Sequence, residues 1–308
     1  MKRLCFSIAL LGMMLHIGAQ TLIKGNYQKG DTAIYQSQAK FNVALPTGGV
    51  SEIEATYNNR YVILDASENG FKVERILTDL VINGNEEAAE MVSQIEDLKT
   101  SQDVPFIFTT DSNGKPVKIE NFDEVKTKMA ASVTSLIEKT LGRHPEMAAM
   151  KDRLIEAAVS RLTEDALLDD ADAVNVFSLN GKTIKTGDSD EEVKEGLKVK
   201  STYTVTPILG QTVVAKNSTI NMTEDDIKAF VIDQLVKSGL PEEQVEMVKQ
   251  NWGQMVAMGI AKMDVNVTET FRILKGGWMQ DVKSDFKMNA MGAETSYSST
   301  SKLVNKNF

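Results

Sequence analysis

Side chains able to do chemistry are sparse in this 308-residue chain, and the densest group lies in "FIFTTDSNGKPVKIENFDEV", residues 106 to 125. Asp111, Asn113 and Gly114 supply a carboxylate, an amide and a permissive backbone, the ingredients of a calcium loop or a phosphate cradle. An EF-hand needs Gly at its sixth loop position and a bidentate Glu at its twelfth. Counted from Asp111, Gly114 is fourth and Glu120 is tenth, so the calcium reading fails. The G-x-x-x-x-G-K-[ST] spacing of a phosphate loop is missing too. What remains is a hairpin: a strand "PFIFTTD", a turn over Ser112 to Lys115 with Gly or Asn available for positive φ, and a return strand "PVKIENF". Asn121 or Asp123 then caps a helix.

The other reactive types exclude more than they suggest. Cys5 is the only cysteine and falls in an N-terminal segment that reads as a signal peptide, so the mature chain has no thiol or disulfide chemistry. His144, in "LGRHPEM", is the one remaining histidine, too little for a zinc site of the usual kind, and no G-x-S-x-G elbow accompanies it. Its place between Gly142 and Pro145 is that of a helix-to-helix connection. Acidic runs at Asp169-Asp170 and at Asp188, Asp190, Glu191 and Glu192 carry the charge for a divalent cation, although solvated loops usually account for such runs. Two carboxylates suffice for glycoside hydrolysis. Among 43 acidic residues nothing selects a pair, and two Trp and six Tyr are few for stacking sugars. No catalytic, cofactor-binding or metal-binding residue is therefore assigned, and the chain reads as non-enzymatic. Met247, Met255, Met258, Met263, Met279, Met288 and Met291 crowd the last third. Methionine suits adaptable binding surfaces and equally fills loosely patterned cores. Their irregular spacing, without His, argues against copper.

The framework that must carry these groups begins with Met1-Lys2-Arg3, about 14 apolar residues from Leu4 to Ile17, and Gly18-Ala19-Gln20. That is a secretory signal peptide, with cleavage expected after Ala19 or Gln20. The run is shorter than the roughly 18 to 20 residues that cross a bilayer, and no later stretch approaches that length. Cys5 comes too early to be a lipoprotein's acylated cysteine. The expected location is periplasmic or secreted. The formal charge of −9 becomes about −11 once Lys2 and Arg3 leave, and no Lys/Arg cluster offsets it, which argues against nucleic acid as a partner.

Period-two alternation in "DTAIYQSQAKFNVAL" and "VSEIEATYNNRYVILDASENGFKVERILTDLVING" predicts a meander with turns at Asn58-Asn59 and Glu68-Asn69-Gly70. A short helix is expected over Glu86 to Leu98. After the hairpin, Val125, Met129, Val133, Leu136 and Ile137 stripe one helix, and Pro145 opens another. The second half repeats this order. Strands "AVNVFSLNGKTIKT", "LKVKSTYTVTPI" and "TVVAKNSTINM" precede a helix capped by Thr223, then one from Pro241 with Val245, Val248, Trp252, Met255 and Val256 on one face. Three strands finish the chain. Trp252 and Trp278 read as core. The fold class is α+β: a large curved antiparallel β-sheet, meander-like or half-barrel-like, packed with about four main α-helices. Residues 1–20 form the signal peptide and 21–308 a single domain, with similar β-then-α halves at about 21–168 and 169–308.

The mature start "LIKGNYQKGDTAIYQSQAKFNV", the segment "VPFIFTTDSNGKPVKIENFDEV" and the tail "GGWMQDVKSDFKMNAMGAETSYSSTSKLV" resemble a family of secreted proteins of the Bacteroides group, classed as a domain of unknown function. The likeness spans nearly the whole mature chain. It rests on strand and turn signatures, so it implies export and carries over no site residues. Asp31-Thr32-Ala33 matches the short sequon such bacteria use for O-glycosylation.

Two functions fit. A long sheet curls, and helices against its concave face leave an apolar cavity, as in the unclosed barrels of lipid carriers. That favours an exported carrier of an apolar or lipid-like ligand. The alternative is an interaction protein that docks an envelope partner through sheet edges, for which the Ser and Thr of "ETSYSSTSKL" suit an exposed terminal strand.

Overall fold

A computed structural model describes residues 20–44, 49–89, 92–93, 104–142, 151–169, 175–194, 197–220, 222–237, 240–257, 263–290 and 293–307. The alternating segments form one antiparallel sheet of eleven strands, in the spatial order β6-β5-β4-β3-β2-β13-β12-β11-β10-β9-β8. In chain order these are β2 (Thr32–Ala44), β3 (Val50–Ser67), β4 (Gly70–Gly84), β5 (Phe106–Thr110), β6 (Pro116–Ile119), β8 (Ser189–Lys194), β9 (Leu197–Ile208), β10 (Gln211–Ile220), β11 (Met263–Leu274), β12 (Met279–Ala290) and β13 (Ala293–Asn307). A separate ribbon pairs β1 (Thr21–Leu22) with β7 (Thr183–Ile184). Each arm is a meander stepping outward from the centre, where β2 and β13 run from Thr32 opposite Asn307 to Val43 opposite Thr295. The serine- and threonine-rich "ETSYSSTSKL" therefore lies mid-sheet, which corrects its expected place on an edge. The edges are β6 and β8, so the sheet is open.

The sheet curls strongly. Phe108 on β5 and Trp278 just before β12 belong to strands five pairings apart, about 24 Å in a flat sheet. Yet both rings pack on Phe177, at centroid distances of 5.4 and 5.9 Å. Gly25 N donates to Asn113 O in the β5–β6 turn, and Asn26 N donates to Gly276 O in the β11–β12 turn. Adjacent residues of one strap thus hold turns from both arms. Gly277 has φ +90°, and a Cβ there would lie 2.5 Å from Lys24 O, so only glycine lets the strap approach.

Six α-helices are present among the described residues, against the four expected: α1 (Phe122–Gly142), α2 (Lys151–Ser160), α3 (Glu164–Asp169), α4 (Glu224–Lys237), α5 (Glu242–Gln250) and α6 (Trp252–Ala257). The extra elements come from local side-chain bonds. Asn251 Nδ2 donates to Met247 O and ends α5, splitting the helix read from Pro241 onward. Thr163 Oγ1 accepts from Ala166 N and starts α3. Thr223 and Asp226 cap α4 reciprocally, as the sequence predicts. Asn121 does not cap α1. Its side chain joins Ile107 N and Pro105 O and pins the helix entry to β5.

Two further readings need correction. Asn58-Asn59 is no turn, because β3 runs through it. Asn59 Oδ1 accepts from Arg75 Nε, Asn58 Nδ2 donates to Asp79 Oδ2, and a bulge in the β3–β4 register absorbs the break. "AVNVFSLNGKTIKT" is no long strand: Asn175–Phe177 is a 3-10 turn and β7 is two residues long. The helix expected over Glu86 to Leu98 begins as a 3-10 turn, Glu86–Ala88, capped by Asn85; Met91, Ile95 and Leu98 lie outside the described residues.

Candidate functional site

The concave face of the sheet is layered along its strands. At the end held by the strap, Tyr35, Tyr61, Val73, Phe108, Phe271, Trp278 and Met279 close around Phe177 in one dry cluster, each at most 1% exposed. Tyr27 from the strap adds edge contacts to Phe71 and Phe177. Its hydroxyl accepts from Asn180 Nδ2 and donates to Gly277 O; burial pushes its pKa up, partly offset by the Asn180 bond. Asn180 Nδ2 also donates to Gly114 O, and Gly114 takes φ +90° in a turn whose Asp111 Oδ1 accepts from Asn113 N and Lys115 N. The stretch that looked most like a ligand loop is thus a turn whose acid holds its own backbone. It docks the 175–184 segment that closes this end.

One step along the strands the same face becomes polar. Ser37 and Ser301 hydroxyls lie 2.8 Å apart across β2 and β13, and Ser201 and Ser218 lie 2.9 Å apart across β9 and β10. Lys216 Nζ donates to Glu269 Oε2 at 2.7 Å, the two side chains 18% and 20% exposed. Tyr203 OH donates to Asp190 Oδ2 at 2.8 Å, with Lys182 Nζ 3.4 Å from the same oxygen. Burial alone would raise Asp190, but the Tyr203 bond and the Lys182 charge outweigh it and hold the carboxyl below its usual range. Tyr203 is pushed up by burial and by the Asp190 acceptor. Period-two alternation in register places these residues on one face, and the belt runs diagonally from β2 towards β9: Ser37 and Ser301 share the row of Val282 and Phe271, Lys216 and Glu269 that of Ser284 and Ser299, and Ser201 and Ser218 that of Val267 and Phe286.

Beyond the belt the face is apolar again. Ala39, Phe41 and Val43 on β2 lie opposite Ala55, Ile53 and Ser51 on β3 and opposite Ser299, Tyr297 and Thr295 on β13. Phe286 and Met288 on β12 lie opposite Val267 and Val265 on β11. None of these belongs to either core cluster, and Phe41 is 37% exposed. Helices pack at both ends of the face. Phe122 and Met129 of α1 pack on the aromatic core, and Trp252, Met255 and Val256 pack with Ile227 and Met263. The two helical groups meet where Arg161, past the end of α2, donates to Gln234 on α4. Their apolar stripes are loosely covered: α2 has no buried residue, and α1 buries only Val125 and Leu141 over 21 residues.

The acidic residues named from the sequence do not converge. Asp188 Oδ2 caps Lys185 N, Asp190 faces the belt, and among the described residues no three His, Cys, Asp or Glu could hold a metal. His144, Asp170, Met258 and Met291 lie outside the described residues. Trp252 and Trp278 are buried, at 5% and 1% exposed, and Met279 is core, whereas Met247 is exposed. Thr32 starts β2, half-buried, and donates to Gly30 O. Sequence reading missed the belt, although its signal was present as Ser, Lys, Glu and Asn at inward positions of otherwise apolar strands.

The chain matches no family model and no curated protein. Among solved structures it aligns with a lipovitellin studied for lipid–protein interactions, at TM-score 0.48 and 11% identity, over 91% of this chain and 26% of that one. It also aligns with DynF from the dynemicin biosynthesis pathway of Micromonospora chersina, at TM-score 0.21 and 7% identity, over 92% and 85% of the two chains. The chain thus spans about a quarter of the lipovitellin chain, and neither likeness is close enough to assign a ligand.

Proposed function

We propose that the protein is an exported, non-enzymatic carrier of an apolar, lipid-like ligand, held on the concave face beyond the polar belt. The observation that supports this most is the repeat of apolar residues on both sides of the belt. A single core has no use for a belt of paired polar groups across it, since each such pair contributes little net stability while costing desolvation. A second, loosely covered apolar layer is what a chain-like ligand needs: apolar walls, a few oriented polar groups and helices that can part. Ser284 and Ser299, which pair in register on this face, and the Lys216–Glu269 pair offer such groups to a ligand's polar end. Among the described residues no helix is long and apolar enough to cross a membrane.

Native mass spectrometry of protein purified from a bacterial periplasm, followed by organic extraction, tests this reading. Mass in excess of the chain that extracts as an amphiphile supports it. A bare chain that also fails to quench or enhance a fluorescent fatty acid at micromolar concentration overturns it.

A further inference from the structure

At the strap end, on the outside of the dry core, the hairpin joining β9 to β10 carries Leu209 at its tip, 100% exposed, beside Ile208 at 52%. Leu22 on β1, 49% exposed, stands across a groove of about 340 Å³ that Ile208 also lines. An isolated exposed leucine needs no explanation, but Leu22 and Ile208 line one groove and Leu209 projects from the hairpin next to Ile208, so the three form a patch. The tip is built rigidly. Gln211 pairs with Ile208 in register, Gly210 supplies φ +75°, and Thr186 Oγ1 bonds Val205 N and O on the same strand. Presenting the patch therefore needs no ordering of the chain.

The charged residues lining the groove are Lys24 and Lys275, both exposed, and neither makes an ion pair among the described residues. On a chain of net charge −9, a groove lined by cations alone is out of keeping with the rest of the molecule. We infer that this end docks on an anionic lipid bilayer, with Leu209 and Ile208 entering the headgroup layer and the two lysines facing lipid phosphates. Two features select a bilayer over a protein: the patch is a projecting tip rather than a flat face, and its rim carries positive charge of the kind that draws a surface to anionic lipid. This inference concerns the opposite end of the molecule from the carrier layer and does not depend on it.

Co-sedimentation of the purified chain with vesicles of phosphatidylglycerol and phosphatidylcholine, compared with phosphatidylcholine alone, tests it. Binding to the anionic vesicles that weakens with added salt is expected. The double variant Ile208→Ser/Leu209→Ser should bind at least about tenfold more weakly with unchanged thermal unfolding, because the tip is outside the core. Lys24→Gln/Lys275→Gln should lose roughly tenfold on anionic vesicles only. Wild-type protein that stays in the supernatant with anionic vesicles overturns the inference. So does undiminished binding by the Ser/Ser variant, binding abolished instead by Phe41→Asp in the carrier layer, or a wild-type dimer dissociated by Leu209→Ser without vesicle binding.

Discussion

Phe177 and Trp278, at the strap end of the concave face, are 0% and 1% exposed, and Phe177 touches Tyr61 and Phe108 from one arm and Trp278 from the other, whereas Phe41, on the same face, is 37% exposed and outside either cluster. Strand pairing is continuous between the two regions, so the difference does not come from the sheet. It comes from what covers the face. The strap and the 175–184 segment fit the first region with backbone hydrogen bonds on both sides, while Phe41, Tyr297 and Phe286 in the second belong to neither packed cluster. The lesson is that an apolar face becomes structural core only when its cover is also fixed.

Truncation separates the regions most sharply. Phe177→Ala should cost about 3–5 kcal/mol, enough to threaten folding, because its ring is surrounded on all sides. Phe41→Ala should cost less than about 1 kcal/mol, measured by urea unfolding, while lowering uptake of a fluorescent fatty acid. Equal losses at the two positions would erase the distinction.

Next in size is Asn180→Ala, expected to cost about 1–3 kcal/mol because Tyr27 OH and Gly114 O lose a buried donor. Chemical denaturation should show the loss with fatty-acid uptake intact, since the damage is confined to the closed end.

Lys216→Met should cost about 1–3 kcal/mol by leaving Glu269 without its partner inside the belt. Lys216→Met/Glu269→Leu should recover most of it, as replacement of a partly buried pair by apolar groups often does. Failure of the double variant to recover would mean that the belt contributes to folding rather than to a ligand's polar end.

The smallest effect is on pH. Asp190 is held below its ordinary range in the folded chain, so its bond to Tyr203 adds stability above about pH 4 and loses it as pH falls through the folded value. The stability difference between wild type and Asp190→Asn should therefore be present near pH 6 and shrink below pH 4, by thermal unfolding in matched buffers. Solvent reaches Asp190, so the difference will be modest.

The period-two runs predicted the long strands well, from Thr32–Ala44 to Met263–Leu274, because one face of each is wet. Trp278 as core and Thr223 as a cap were equally legible, since each depends on a local pattern. The positions that misled share a cause: a polar side chain met a distant partner. Asn58-Asn59 has the composition of a turn, but Arg75 and Asp79 satisfy both amides on the neighbouring strand. "AVNVFSLNGKTIKT" alternates like a strand, yet its Phe177 and Asn180 find partners in the Tyr27 strap and the Gly114 turn, which no spacing reveals. The central place of β13 escaped for the same reason, because the pairing of the two ends of the chain is long-range. The outer apolar layer itself was legible only as apolar residues, and its separation from the core depends on belt partners on neighbouring strands and in the 175–184 segment.

Photolabelling with a diazirine-bearing fatty acid, read by peptide mass spectrometry, tests the division of the concave face most directly. The expected result is label on the peptides carrying Phe41, Ile53 and Phe286, competed by unlabelled fatty acid, with none on those carrying Phe108 or Phe177. Label confined to the outer surface, or absent from the Phe41 and Phe286 peptides under saturating conditions, would contradict a ligand layer beyond the belt.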